Sequence, residues 1–185
     1  MAIIQSIATQ TGRYSSSVDE FLARFRGRLQ SLASSQDLVT SSNWKGADLR
    51  ELVTGQVGRY SSDPARNVRY EGENPYLNPN AALHIGLALH ELAVNSMRYG
   101  ALSAPSGFVT VSATRGGPGE AGDGLSLSWT EKIDPSNASL HRKRFGSLAL
   151  ERVVPASLSG AAHLAIEADR LDYRLTIPAG SFELD

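Results

Sequence analysis

Residues 78–100 constrain the fold more than any other stretch of the chain. Asn78-Pro79 is a helix start, with asparagine as the capping acceptor and proline in the first turn, where its missing N–H costs nothing. Gly100 is a stop. Between them the segment is apolar at Leu83, Ile85, Leu87, Leu89, Leu92 and Val94, and the spacing predicts a long helix over about 80–98. Against that apolar background Glu91, Asn95 and Arg98 fall at i, i+4 and i+7 on one face. Asparagine is a poor residue inside a helix, because its side chain competes for backbone hydrogen bonds. Two readings of the stripe stand at this point. It is a solvated helix face, or its oxygens and its cation hold a hydrated Mg²⁺ and a polyphosphate.

Composition narrows the field. The 185 residues suffice for one domain or a small domain with a helical appendage. Apolar residues (41%) and charged residues (20%) are in ordinary globular proportion, and a net charge of -1 speaks against nucleic acid or a membrane surface as partner. There is no cysteine, which excludes disulfides, thiolate catalysis and cysteine-ligated metal. No apolar run reaches the length of a membrane span, and no basic region precedes an apolar stretch at the N-terminus. The expected location is therefore the cytoplasm.

Helical patterns come first along the chain. Residues 2–10 read as the tail of a helix that starts uncapped. Ser17-Val-Asp-Glu20 is a capping-box pattern, and Phe21, Phe25, Leu29 and Leu32 follow at helical spacing. A helix over about 18–40 after a short polar turn predicts an antiparallel hairpin. Residues 47–60 read as a short helix and 67–71 as an edge strand. Beyond Gly100 the pattern alternates. Strands are expected at 108–115 and 125–131 around a glycine-rich turn at 116–124, and a closing hairpin at 163–168 and 173–177. Residues 136–144 read as a polar, basic loop, and 146–154 as a helix ending near Pro155. Helices and strands segregate, so the fold class is α+β: a two-helix hairpin at about 1–60, then an α/β sandwich over about 65–185.

These pieces, in this order, resemble an HWE-family histidine kinase. The residues that carry the resemblance are His90-Glu91-Leu92 with Asn95, then Arg98-Tyr99-Gly100-Ala101-Leu102; Trp129-Thr130-Glu131; and Gly146-Ser147-Leu148 followed by Glu151-Arg152. Asn43-Trp44 with Gly46-Ala47-Asp48-Leu49, and Arg28-Leu29-Gln30 with Leu32, resemble the family's dimerisation helices. The resemblance implies a Bergerat-type (GHKL-type) ATP-binding domain with ATP and Mg²⁺ as cofactors. Glu91 and Asn95 are then the catalytic pair, with Asn95 ligating Mg²⁺ and Glu91 orienting water or the metal shell. His90, Arg98, Tyr99, Glu131, Gly146, Ser147 and Leu148 complete the nucleotide site. In it Arg98 approaches the phosphates, Tyr99 packs near ribose or base, Glu131 accepts from the adenine amino group, and Gly146 lets backbone close on phosphate at a helix N-terminus. The implied function is two-component signalling, with the γ-phosphoryl passed to a histidine and on to a response regulator receiver domain. The implied assembly is a homodimer through the N-terminal helices.

The chain departs from the family at three places. The family's His-Arg-x-x-Asn acceptor run precedes the segment matching Ala2–Ala8, so autophosphorylation by this chain alone is not expected. Ile133-Asp134 and Arg144 stand where the family has glycines, which removes backbone freedom near phosphate. Plainer readings stand beside the site readings. His90 is a satisfied core histidine, Trp129 and Glu131 share an inward strand face on which the acid needs a partner, the Phe21, Phe25 and Leu29 stripe is packing, and Tyr99 is half core. Two rival functions remain: a degenerate adaptor or phosphatase-like partner of a response regulator that no longer uses ATP, and a serine kinase of the same ATP fold.

Overall fold

The computed structural model describes residues 2–116, 123–135, 148–167 and 169–184. Helices α1 (Ala2–Arg13) and α2 (Val18–Ser41) form the expected hairpin. Ser17 caps α2 by accepting from the Glu20 N–H at 3.1 Å. The glutamate reaches one residue further back than a capping box requires, to the N–H of Ser16 at 2.7 Å. Phe21 and Phe25 stack at 5.5 Å within α2.

The predicted helix over 47–60 divides in three. Two residues pair as strand β1 (Ala47–Asp48), Asp48 caps α3 (Leu49–Val57), and a 3₁₀ turn covers Gly58–Tyr60. Then come α4 (Pro64–Asn67), β2 (Val68–Gly72), β3 (Tyr76–Leu77) and the long helix α5 (Pro79–Tyr99). Asn78 caps α5 as expected, its side chain accepting from the Ala81 N–H at 2.8 Å. Strands β4 (Val109–Arg115) and β5 (Leu125–Lys132) follow, and the Gly116 N–H donates to the Gly124 carbonyl at 2.8 Å to close the turn between them. The helix expected to end near Pro155 runs past it. Residues Ala149–Val153 widen into a π turn, and Pro155 sits in the first turn of α6 (Val154–Ser157), where no proline N–H is needed. Strands β6 (Ala161–Glu167), β7 (Arg170–Ile177) and β8 (Phe182–Glu183) complete the chain.

The main sheet has the order β2-β4-β5-β7-β6. Strand β2 lies at its edge, as expected, and runs parallel to β4, while the other neighbours are antiparallel. Strands β1, β3 and β8 form a second small sheet. Two-residue strands are too short to show alternation, so sequence reading misses them. The period of two sends Val109, Val111, Ala113, Leu125, Leu127, Trp129, Leu171, Tyr173 and Leu175 inward, all buried. They share one core cluster with Ile85, Leu89 and Leu92 of α5, Leu52 of α3 and Val39 of α2.

Close helix contact holds the hairpin on α5. Ser31 of α2 donates to the Gly86 carbonyl at 3.2 Å, and the Gln56 amide donates to the Ser31 carbonyl at 2.8 Å and the Ser35 hydroxyl at 2.9 Å. A Cβ on Gly86 would meet Ser35 Oγ. Gly86→Ala should therefore destabilise the protein despite the helix propensity that alanine adds. Overpacking costs about 1–3 kcal/mol, against a gain of about 1 kcal/mol. Thermal unfolding of the variant checks this, and a raised midpoint would contradict the packing described.

Candidate functional site

The C-terminal half of α5 forms one side of a cavity of about 1210 Å³. Glu91, Asn95 and Arg98 all line it, so the stripe read from sequence is gathered into one place. Tyr99, half-buried and packed against the core, lines it too. The residues that follow the basic segment, Leu148, Ala149, Glu151 and Arg152, close another side. Another wall comes from the hairpin, with Thr11 of α1, Tyr14 in the turn that follows it, and Arg24 and Arg28 of α2. Sequence reading assigned those helices to packing and dimerisation and missed this wall. Nothing in the periodicity of residues 2–40 announces it, because the docking angle of a hairpin is not a local property.

Electrostatics favour an anion in the cavity. Arg24, Arg28, Arg98 and Arg152 line it, against Glu91 and Glu151. Arg24 pairs with Glu20 at 2.6 Å and Arg28 with Glu91 at 2.7 Å. Among the described residues no ion pair engages Arg98 or Arg152. The Asn95 side chain, half-buried in the cavity wall, has no hydrogen-bond partner among the described residues. Among those residues there is no cluster of histidine and carboxylate ligands. A Mg²⁺ bound chiefly by phosphate oxygens and water needs no such cluster; one amide oxygen from the protein suits it.

Glu91 is not a solvated carboxylate. Arg28 grips it with a fork, Nε to one oxygen at 2.7 Å and Nη2 to the other at 2.8 Å. Burial alone would raise the Glu91 carboxyl, but the hydrogen bonds and charge of Arg28 outweigh it and hold the group below its ordinary range. His90 lies at the floor, 3% exposed, with Nδ1 bonded to the Tyr60 hydroxyl at 2.9 Å. Burial pushes its imidazole down to about 4, so the ring is neutral near pH 7. The core-histidine reading describes it better than a ligand reading.

Glu131 departs from the role its motif implies. It is 2% exposed and does not line the cavity. One carboxylate oxygen accepts from the Ser96 hydroxyl at 2.6 Å and the Ala101 N–H at 2.7 Å, and the other from Trp129 Nε1 at 3.0 Å. The expected adenine acceptor thus serves its own chain, tying β5 to the turn that ends α5. The reason is its place on the inward face of β5, beneath that turn. Gly100 makes this possible, since a Cβ there would collide with the Glu131 carboxylate. Ser96 and the Ala101 N–H were not foreseen as its partners; the inward alternation at Trp129 and Glu131 was the only signal.

Gly146, Ser147 and Arg144 lie outside the described residues. Ile133 is buried at 5% exposure and its N–H donates to the Asp169 carbonyl at 2.8 Å, so core packing holds that substitution. Asp134 is exposed and lies outside the cavity lining.

The architecture is a helical hairpin docked on a sandwich of helices and a mixed sheet, with a cation-lined cavity at the end of the central helix. The sequence profile of the HWE histidine kinases matches residues 1–74. Blue-light-activated histidine kinase 1 of Erythrobacter litoralis is 31% identical over 182 residues, which covers 96% of this chain and 49% of that protein. The blue-light-activated histidine kinase of Brucella ovis is 27% identical over 172 residues, covering 92% of this chain and 35% of that one. The chain thus spans half or less of the length of these relatives. The solved histidine kinase domain of the Erythrobacter litoralis blue-light-activated histidine kinase superposes with a TM-score of 0.59 at 14% identity, over 96% of this chain and 82% of that one, a likeness of fold. Residues 1–74 thus carry a segment that matches the HWE histidine kinase model, and the chain is homologous to the blue-light-activated histidine kinases. Among the described residues no helix is long and apolar enough to cross a membrane.

Proposed function

We propose that this chain is the catalytic part of a two-component histidine kinase, binding Mg²⁺·ATP in the cavity beside α5 and passing its γ-phosphoryl to a histidine and on to a response regulator receiver domain. The observation that carries the reading is the Asn95 side chain, held in a cation-lined cavity with no partner of its own among the described residues. Asn95 supplies the amide oxygen for Mg²⁺. Arg98 and Arg152 neutralise phosphate charge, Tyr99 lies against ribose or base, and Leu148 and Ala149, which follow the Gly146-Ser147 motif in sequence, border the phosphates. The bound metal neutralises charge developing on the transferred group, and the residues around it position rather than react. His90 supports the floor through Tyr60.

The proposed assembly is a homodimer through the hairpin. Ile4, Val18 and Leu22 of α1 and α2 are exposed apolar residues that fit such a contact. An adaptor that docks a response regulator without using ATP is the second reading, favoured by Glu131, whose carboxylate is spent inside the fold.

Calorimetry separates the two. The kinase reading expects heat on titration with Mg·ADP at millimolar ligand, and expects Asn95→Ala to lose the Mg²⁺-dependent part of the affinity, by about tenfold or more, with unchanged thermal stability. A well-folded wild type that gives neither heat nor thermal shift supports the adaptor. An Asn95→Ala protein that binds Mg·ADP as the wild type does removes Asn95 from the metal.

A further inference from the structure

The hairpin grips the nucleotide site through one side chain. Arg28 of α2, 8% exposed, uses three of its nitrogens. Nε and Nη2 fork onto both oxygens of Glu91 on α5, and Nη1 donates to Thr11 Oγ1 on α1 at 2.8 Å. Thr11 is itself buried, and its hydroxyl donates to the Ile7 carbonyl at 2.6 Å. Three helices therefore meet at a single guanidinium, on the wall of the cavity that Asn95 also lines.

That arrangement sets two cations in competition. Glu91 stands one helical turn before Asn95, so a metal held by Asn95 lies within reach of the Glu91 carboxylate. With both its oxygens gripped by a guanidinium, the carboxylate is neutralised, and a divalent ion beside it meets the positive charge of Arg28 as well. At such separations, away from bulk water, like charges repel strongly. The repulsion is relieved when Arg28 lets go, and Arg28 lets go when α2 shifts on α5.

We propose that the Arg28–Glu91 pair is a latch by which the helical hairpin restrains the nucleotide site: Mg²⁺·nucleotide and the Arg28 guanidinium compete for Glu91, so loading the site loosens the hairpin and moving the hairpin opens the site. The latch rests on the nucleotide-binding reading above. Linkage makes the effect reciprocal: whatever Mg²⁺·nucleotide does to the hairpin, the hairpin does to the affinity for Mg²⁺·nucleotide. The ionised state of Glu91 agrees with this, since a charged carboxylate is what both cations need.

The test is calorimetry of ADP, with Mg²⁺ and with EDTA, on the wild type, Arg28→Gln and Arg28→Lys. Hydrogen exchange of wild-type peptides covering Thr11 and Arg28, with and without Mg·ADP, accompanies it. The latch expects Arg28→Gln to bind Mg·ADP about fivefold tighter or better, the lower end of ordinary coupling, with no gain in EDTA. It expects Arg28→Lys, which keeps the charge and loses the fork, to fall between. In the wild type, exchange around Arg28 speeds up when Mg·ADP binds. Equal or weaker Mg·ADP binding by Arg28→Gln overturns the latch and makes Arg28 a phosphate or structural contact. Should Arg28→Gln fail to fold, wild-type exchange decides alone: faster exchange on loading supports the latch, and unchanged or slower exchange overturns it. Binding by Arg28→Gln where the wild type shows none supports it most strongly. If neither protein binds at millimolar ligand, the nucleotide reading fails and the latch fails with it.

Discussion

Replacing Glu131 with alanine should unfold the protein or bring it close to unfolding. Three donors converge on that carboxylate, the Ser96 hydroxyl, the Ala101 N–H and Trp129 Nε1. Ser96 is fully buried and Trp129 nearly so. Each donor left without an acceptor costs about 1–3 kcal/mol, and the vacated space adds to that. A total of about 3–9 kcal/mol is much of the stability of an ordinary domain. Glu131→Gln keeps the volume and one acceptor oxygen but turns an amide N–H toward a donor, so its loss should be smaller. Chemical denaturation of both variants reads the difference. Glu131→Ala within about 1 kcal/mol of the wild type would show that the network carries no weight, and would restore the carboxylate as a candidate for ligand.

Mild acid should weaken the fold through His90. Burial lowers its pKa from 6.5 to about 4. The unfolded chain therefore takes up a proton at a pH where the folded one does not. The contribution is whole above 6.5, falls as pH drops from 6.5 to 4, and levels off below. At 1.36 kcal/mol per unit the loss by pH 4 is about 3 kcal/mol. Glu91, held below its ordinary 4.5 by Arg28, is a depressed acid, so its loss begins only as pH falls through 4.5. The two groups thus occupy adjacent windows. His90→Gln should flatten the stability curve between pH 6.5 and 4 and leave the lower window intact. An unchanged slope in that variant would remove His90 as its source.

Elements with a long period or a capped end were legible in the sequence; those made by docking were not. Asn78-Pro79 and Gly100 gave the ends of α5, and the alternation over 108–115 and 125–131 gave β4 and β5 to within a residue, because both signals are local. The small sheet of β1, β3 and β8 was hidden, since residues 47–48 pair with 76–77 and these with 182–183 only through the tertiary fold. At the site the same division holds. The stripe of Glu91, Asn95 and Arg98 was readable from helical spacing, and its convergence on one cavity follows from that spacing. The fork from Arg28, 63 residues away in sequence, was not. Glu131 marks the limit of resemblance as a guide. The motif was recognised, but the direction of its side chain is set by the inward face of β5, and there its own chain satisfies it.

The central claim is that Asn95 holds the metal of a bound nucleotide. Mn²⁺ in place of Mg²⁺ tests it directly, because the paramagnetic ion broadens the NMR signals of groups beside it. With the Asn95 side-chain amide assigned, the account predicts broadening of that signal when ADP and Mn²⁺ are present together, weaker broadening with Mn²⁺ alone, and none with ADP alone. Sharp Asn95 signals under saturating Mn·ADP, with broadening centred on other residues or nowhere, would contradict it.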